Sequence, residues 1–364
     1  MLAIANKSRI IQIMKVIHDV PLANYTTMHV GGPAQTLITL EENDSLATIL
    51  AGAQKPLYVL GYGANCLISD KGLQGTVILN QKGAITQLSP TRLKADSGVS
   101  WDDFVQKCLE LNLYGLEFTS GIPGGVGAAV AGNIAAYGQA VSGCFVEATM
   151  FDSDNDKTVV WNKDDLAFTY RGSRLQTADG QNMIVLDATF ELSSQPTGEL
   201  EYESAHKVAE ELGLAADSLT NRRKIILETR RRVGSLQTNM QTGPFTAGSF
   251  FKNPVVNDDQ AQAIISFEEA GISRHNLLRQ NLLHSGNSVR VSAAHVLLAA
   301  GFKRGQRWGN VRLHPDHILK LENTGQATAQ ELYDVIQNII ATVQEKLNIT
   351  LEPEVRFLGD IPQK

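Results

Sequence analysis

Residues 119–138 read TSGIPGGVGAAVAGNIAAYG: six glycines, five alanines, no charged side chain and a single aromatic, Tyr137. A surface loop of this length carries Asp, Asn, Ser or Lys at its turns. Here Ala and Gly dominate, with Ile122, Pro123, Val126, Val130 and Ile134 between them. Backbone with so little side chain lets a large flat object approach closely. A second chain segment crossing the run is one such object. An organic cofactor is the other: backbone amides would bind its pyrophosphate, and Asn133 and Tyr137 would add side-chain contacts. Composition alone leaves both open.

A second glycine stretch, LGYGANCLIS at 60–69, has the GxG spacing of a dinucleotide fingerprint in Gly61 and Gly63. Cys66 stands where the third glycine belongs, and strand-like residues follow instead of a helix, which excludes the Rossmann context. A strand ending in Gly-x-Gly-x-Asn still exposes N–H groups of the kind that bind phosphate oxygens. It also reads as a plain tight turn.

The chain has 364 residues and 43% hydrophobic content, enough for several domains. A net charge of −6 and a pI near 5.8 give no basic excess that would attract nucleic acid or an anionic membrane. Cys66, Cys108 and Cys144 are scattered, odd in number and without zinc spacing, which suits a reducing compartment and no disulfide. Lys7, Arg9, Lys15 and His18 interrupt the N-terminal apolar residues, so neither a signal-peptide core nor a spanning segment is expected, and the expected location is the cytoplasm.

Further along, Leu46–Leu50 reads as a helix opened by Asp44 or Ser45, PLYVLGYGANCLISD as strand, turn and strand, and GTVILN (75–80) as a buried strand. A helix starts at Ser100, with Asp103 in the capping-box position. Residues 144–192 read as antiparallel β-structure, SSQPTG (193–198) as a linker, and 203–233 as charged helix. Within that helix RRK (222–224) and RRR (230–232) form a solvated face unless an anion sits beside them. Thr328 and Glu331 box the start of an amphipathic helix, and ITLEPEVRFLG follows as a strand in which Glu352 and Glu354 share one face. His314 and His317 have a spacing that could fit a metal, but no further ligand cluster accompanies them, so no metal is expected.

Taken in order, VGGPA (30–34), GYGAN (61–65), SGIPGGVGAAVAGNIAAYG (120–138), FTYRGS (168–173), AGSFFKNP (247–254) and LEPEVRFLG (351–359) resemble the UDP-N-acetylenolpyruvoylglucosamine reductase (UDP-N-acetylmuramate dehydrogenase) family over roughly residues 20–360. The resemblance implies an α+β fold: a two-lobed FAD-binding domain of the vanillyl-alcohol-oxidase (PCMH) type and a C-terminal α+β substrate-binding domain. The implied boundaries are a leader at 1–19, FAD-binding subdomains at 20–89 and 90–198, a substrate-binding domain at 199–350, and a strand at 351–364 returning a catalytic glutamate. It further implies noncovalent FAD, since Tyr62 and Asn65 stand where covalent flavoproteins place a histidine near the first glycine turn. NADPH is the implied co-substrate, UDP-N-acetylglucosamine enolpyruvate the implied substrate, and a monomer the implied state.

Residue by residue, the family motifs make Ser249 the proton donor, Arg171 the cation that binds the substrate carboxylate and steadies the enolate, and Glu354 the third catalytic group, ionised or protonated. FAD contacts fall on Gly61, Tyr62, Gly63, Ala64, Asn65, Gly121, Ile122, Pro123, Gly124, Gly127, Asn133, Ala136, Tyr137, Gly138 and Arg356. Tyr170, Lys252 and Asn253 face substrate or nicotinamide nucleotide. Where many relatives carry a lysine before the serine motif, TRRRVGSLQTNMQTGP has none, and Arg231 or Arg232 is the expected stand-in. Tyr202 lies near the position of a substrate-covering tyrosine. The alternatives are another FAD-dependent oxidase or dehydrogenase on the same fold, which has no need for AGSFFKNP joined with EPEVRF, and a binding module, which has no need for Ser249, Arg171 and Glu354 together.

Overall fold

In a computed structural model, which describes residues 15–41, 45–236, 243–257, 259–261, 264 and 290–361, Ser100 Oγ accepts the Asp103 N–H and opens the helix Trp101–Glu110. Trp101, Phe104, Val105 and Cys108 recur on one face of that helix and are fully buried against Phe145, Ala148, Met150 and Phe190. Burying each large apolar side chain contributes roughly 1.5–3 kcal/mol. The sheet beneath has five antiparallel strands in the order Lys157–Asn162, Phe145–Asp152, Met183–Glu191, Arg92–Asp96, Ile85–Gln87. Its register slips at Phe145/Glu147 and at Thr149/Met150, and these bulges blur the alternation of FVEATMFD.

The chain divides into two compact units, Met1–Val20 with Ala34–Gly63 and Leu73–Thr238, and Pro21–Pro33 with Ala64–Gly72 and Asn239–Lys364. Besides the five-stranded sheet, the first unit holds a four-stranded sheet in the order Lys15–Pro21, Pro33–Thr39, Leu73–Leu79, Leu57–Leu60, with parallel pairing on both sides of Leu73–Leu79. Ser45 caps the helix Leu46–Gly52; Asp44, the other expected cap, lies outside the described residues. The single helix expected over 203–233 is two, Glu203–Leu212 and Leu219–Arg232, because Gly213 takes a left-handed C-cap and Ser218 opens the next turn. They pack through Ala205, Val208, Ile225 and Ile226 around Phe118 and Leu200.

The second unit is built around the helix Ala329–Leu347, whose Thr328/Glu331 capping box forms as expected. Leu332, Ile336, Ile339 and Val343 of that helix enter a core with Phe250, Phe251, Val311, Leu313 and Leu321. A three-stranded antiparallel sheet, Arg307–Trp308, Val311–Leu313 and Leu321–Asn323, lies in this unit. The strand expected over ITLEPEVRFLG shortens to Arg356–Leu358, which pairs in parallel with Cys66–Ile68. Pro353 has no N–H to extend the ladder and makes an isolated bridge to Phe251.

Candidate functional site

The glycine-rich run begins in the 3-10 turn Glu117–Thr119, passes through the helix Val126–Ala131 and ends in the small hairpin of Ala135–Ala136 and Gln139–Ala140. Both sides of the Gly121 peptide are held. Its N–H donates to Asp102 Oδ1 at 2.7 Å, and its carbonyl accepts from Arg230 Nη2 at 3.2 Å. Asp102 is gripped in turn by both Nη atoms of Arg223 at 2.7 Å. Burial pushes the Asp102 carboxyl up, but the Arg223 and Gly121 hydrogen bonds and the Arg223 and Arg230 charges outweigh it and hold it below the ordinary carboxylate range. Gly121 has φ +74°, and a Cβ there would fall 2.8 Å from Leu227 and Leu236 methyls.

Both objects proposed for the run find support within it. Gly125 and Gly127 pack on Ser97, where added Cβ atoms would come within 2.9 and 2.8 Å of its backbone oxygen and Cβ, and this is the close chain crossing. Gly124 and Gly138 differ: a Cβ on either would meet nothing within 4 Å. The N–H groups of Gly124 and Gly125 donate to no described residue, and the buried Arg230 Nε has no partner among the described residues. Open space at Gly124, the unpaired N–H donors there and at Gly125, and the Arg230 guanidinium on Gly121 of the same run fit a polar, anionic group such as a pyrophosphate.

Three expected site residues of the first unit take positive φ without being glycine: Asn133 at 41°, Tyr137 at 49° and Arg171 at 56°. Each such residue costs of order 1–3 kcal/mol and persists only where its surroundings over-determine it. Tyr170 and Arg171 form a two-residue loop between Thr169 and Gly172, whose N–H groups bond each other's carbonyls. The Asn133 amide donates to the Thr169 carbonyl at 2.9 Å and accepts the Ser142 N–H at 3.0 Å, so its side chain props that loop. Tyr137 meets Tyr202 edge-on at 5.2 Å. Burial pushes the Tyr202 hydroxyl up to about 12, with the Arg171 charge pulling the other way. Ile122 packs against the five-stranded-sheet core, and Pro123 is exposed. Ala136 lies in the small hairpin.

The arginine cluster divides between core and solvent. Arg222 is buried against Glu117 at 2.7 Å, and Arg223 and Arg230 hold the glycine run. Arg231 and Arg232 are the solvated ones: both pair with Glu228, and Arg232 also pairs with Glu211. Their hydrogen bonds draw Glu228 down to about 2. The guanidinium beside the run is therefore Arg230, which the sequence reading passed over in favour of its two neighbours. A helical wheel gives the signal, since Arg223 and Arg230 lie seven residues apart and share a face.

GYGAN spans both units: Gly61, Tyr62 and Gly63 belong to the first, Ala64 and Asn65 to the second. Tyr62 donates its hydroxyl to the Gly98 carbonyl at 3.3 Å. Asn65 serves the second unit; its Nδ2 donates to the Glu354 carbonyl at 3.2 Å and its carbonyl accepts the Arg356 N–H at 3.1 Å. Glu354 N–H donates to the Phe250 carbonyl at 2.8 Å. Phe250 N–H donates to the Leu319 carbonyl, and Ser249 bridges to Lys320. The serine segment is thus bonded through its main chain to both the Glu354 segment and the Lys320 segment. The exposed Glu352 carboxylate pairs with Lys252 Nζ at 2.6 Å. Asn253 Oδ1 accepts the Ala293 N–H at 2.9 Å and caps the helix Ala293–Ala299. His314 Nδ1 accepts the Asp316 N–H at 3.1 Å, and no group of three metal-ligating side chains occurs among the described residues. No helix among them is long and apolar enough to cross a membrane.

Residues 34–159 match the family of FAD binding domains, and residues 240–358 match the domain described as "UDP-N-acetylenolpyruvoylglucosamine reductase, C-terminal domain". Proteins with that reductase name from Streptomyces coelicolor and Thermobifida fusca are each 33% identical to this chain, over 97% and 94% of it and 92% and 97% of their own lengths. The chain belongs to the UDP-N-acetylenolpyruvoylglucosamine reductase family. The crystal structure of that reductase from Thermus caldophilus covers 95% of the chain at 25% identity, with a TM-score of 0.64 and all of its own chain matched. The fold is therefore α+β, an FAD-binding domain followed by the reductase family's C-terminal domain, and the protein is an enzyme of an FAD-binding oxidoreductase family. In this chain the glycine run lies wholly inside the matched FAD-binding region, whereas Ser249 and Glu354 lie inside the matched C-terminal domain.

Proposed function

We propose that the chain catalyses the NADPH-dependent reduction of UDP-N-acetylglucosamine enolpyruvate to UDP-N-acetylmuramate through noncovalent FAD. The observation that carries this reading is the ladder that ties the Ser249 strand to the Glu354 segment, inside a chain whose other half belongs to the FAD-binding family. FAD, when bound, supplies a two-electron carrier between the nicotinamide and the enolpyruvyl group. The run from Gly121 to Gly138 and Gly61–Asn65 hold it, with Arg230 adding a cation.

The chain's own residues have two tasks. Hydride arriving at the terminal enolpyruvyl carbon leaves an electron pair delocalised onto the carboxylate, and Arg171 stabilises it with a permanently charged planar fork. Ser249 gives its hydroxyl proton to the neighbouring carbon, and Glu354 orders the carboxylate end. Tyr170, Lys252 and Asn253 line the nucleotide side, and the enzyme acts as a monomer in the cytoplasm.

Purified protein is expected to be yellow, to bleach anaerobically with NADPH, and to regain colour only on addition of the enolpyruvyl nucleotide. Recolouring by oxygen alone at the same rate would assign an oxidase instead. In Ser249→Ala the bleaching persists while recolouring slows by about 10²–10⁴-fold. Unchanged recolouring removes Ser249 from the reaction.

A further inference from the structure

The bridge between Ser249 and Lys320 is of the type in which neighbouring peptide groups carry the hydrogen bonds, since Phe250 N–H donates to the Leu319 carbonyl at 2.8 Å. In such an antiparallel pair both side chains leave the same face, with Cβ atoms about 4.5–5.5 Å apart. Ile318, Leu319 and Leu321 around Lys320, and Phe250 and Phe251 beside Ser249, belong to one hydrophobic core, so the pair stands among buried apolar side chains. Glu322, two residues on and on that same face, is gripped at both oxygens by Arg312 at 2.7 and 3.0 Å.

Lys320 is 3% exposed. A lysine so buried keeps its charge only where its surroundings compensate it. Besides the Arg312–Glu322 ion pair, two imidazoles stand near it: His314 and His317 are both pushed down, by burial first and by the Lys320 charge second, His317 to about 4. His317 Nδ1 is buried and has no partner among the described residues.

We propose that Lys320 is the positioning residue that makes Ser249 an effective proton donor. The inference rests on the reading of Ser249 given above. When the Ser249 O–H bond breaks, its electron pair stays on oxygen, and the proton bonds to the carbon bearing the enolate pair. The alkoxide left behind is strongly basic, and a cation on the same face lowers the cost of forming it. The Lys320 ammonium then returns a proton to that oxygen and is itself reprotonated by water. The electrons come from the reduced flavin, so this step adds no other reactant.

The test couples two positions. Lys320→Met keeps an apolar stem of similar length without the charge. It is expected to leave NADPH reduction of the flavin unchanged and to slow recolouring by the enolpyruvyl nucleotide about 10–100-fold, a general-acid effect. The nucleotide's Kd, read from its perturbation of the oxidised flavin spectrum, stays within about 2-fold, since the charge acts on the proton and not on binding. In a Ser249→Cys background the same substitution changes the rate less than about 3-fold, because a thiol ionises near pH 8.5 without help. An equal loss in both backgrounds, or a loss confined to Kd, overturns the proposal. If Lys320→Met takes up no FAD, Lys320→Arg decides by the same readouts: retained recolouring with Ser249 supports it, and equal losses in both backgrounds sink it. Unimpaired recolouring in Ser249→Ala would defeat the Ser249 reading itself, whereas an impaired Ser249→Ala beside an unaffected Lys320→Met defeats only the role given to Lys320.

Discussion

In the first unit Asn133, Tyr137 and Arg171 stand in left-handed backbone and are held there by side chains: the Asn133 amide under the Tyr170–Arg171 loop, Arg223 and Arg230 around the glycine run. In the second unit Ser249 and Glu354 stand in extended segments fixed by main-chain hydrogen bonds to Leu319, Phe250 and Asn65. Strained backbone stores conformational energy that its neighbours must offset. A ladder stores none, and it sets side-chain direction by register. The two kinds of support should therefore respond differently when site residues are changed: at the left-handed non-glycine residues of the first unit stability and activity move in opposite directions, and at the ladder residues of the second they fall together.

The largest effect is expected at Arg171. Arg171→Gly removes the cation and relieves the positive φ of 56° in one change. Recolouring by the nucleotide should fall about 10²–10³-fold, as when a principal charge stabiliser is removed, while unfolding free energy rises by about 1 kcal/mol as strain is released. Arg171→Met loses the same rate without the gain in stability. A destabilised Arg171→Gly would show that the left-handed turn is not strained.

Acid unfolding separates the units next. Burial, and then the Lys320 and His314 charges, put His317 at about 4 in the folded chain against an ordinary value near 6.5. Its folded pKa is lowered, so between those two values the unfolded chain binds a proton that the folded chain does not, and stability falls as pH drops through that window. The effect amounts to at most about 3 kcal/mol. Asp102 of the first unit is also lowered, below its ordinary carboxylate value; its contribution is complete above that value and is lost only as pH falls further, through its folded pKa. Denaturant titrations at stepped pH should show loss of stability beginning near pH 6.5, and His317→Gln should remove about one proton from the slope between pH 6.5 and 4.5. An unaltered slope would mean that His317 is charged in the folded chain.

The third effect is at the glycine run. Gly121→Ala adds a Cβ at φ +74°, 2.8 Å from methyl groups of Leu227 and Leu236. The strain and the displaced side chains cost about 2 kcal/mol, and FAD affinity should fall about 10-fold as the peptide leaves Asp102 and Arg230. Gly124→Ala has positive φ but open space and should lose less stability. Equal losses at both positions would show that backbone conformation outweighs the Leu227 and Leu236 crossing.

The sequence makes the two kinds of support unequally legible. Ser249 and Glu354 are framed by contiguous words, AGSFFKNP and LEPEVRFLG, whose extended segments need only local spacing to be read. The Ser100 cap and the Thr328/Glu331 box are equally local and form as read. Left-handed Arg171 and Tyr137 leave no such mark, because nothing in YRGS or AAYG requires positive φ before glycine itself. Arg230 was hidden for another reason: within RRR three identical side chains differ only in helical angle, and what decides among them is Gly121, more than a hundred residues earlier. Lys320 is a third case, since its pairing with Ser249 is set by a register between segments far apart in the chain. Composition does resolve the glycine run into two uses, but only the positions of Ser97 and of the open Gly124 say which glycine serves which.

The smallest expected effect tests the ladder directly. Asn65 holds the Glu354 segment twice, once through its backbone carbonyl to Arg356 and once through its side-chain amide to the Glu354 carbonyl. Asn65→Ala removes only the second bond, at 3.2 Å and partly open to water, and so costs about 0.5–1.5 kcal/mol. Because the Arg356 and Phe250 bonds persist, Glu354 keeps its register, and recolouring by the nucleotide should slow by no more than about 3–10-fold, the rate penalty of a group held slightly less firmly. Stability and rate then decline together, unlike the opposite movements expected at Arg171. Were Asn65→Ala to cost as much rate as Arg171→Met while leaving stability intact, the side-chain amide and not the main-chain ladder would be what aims Glu354, and the contrast between the units would dissolve.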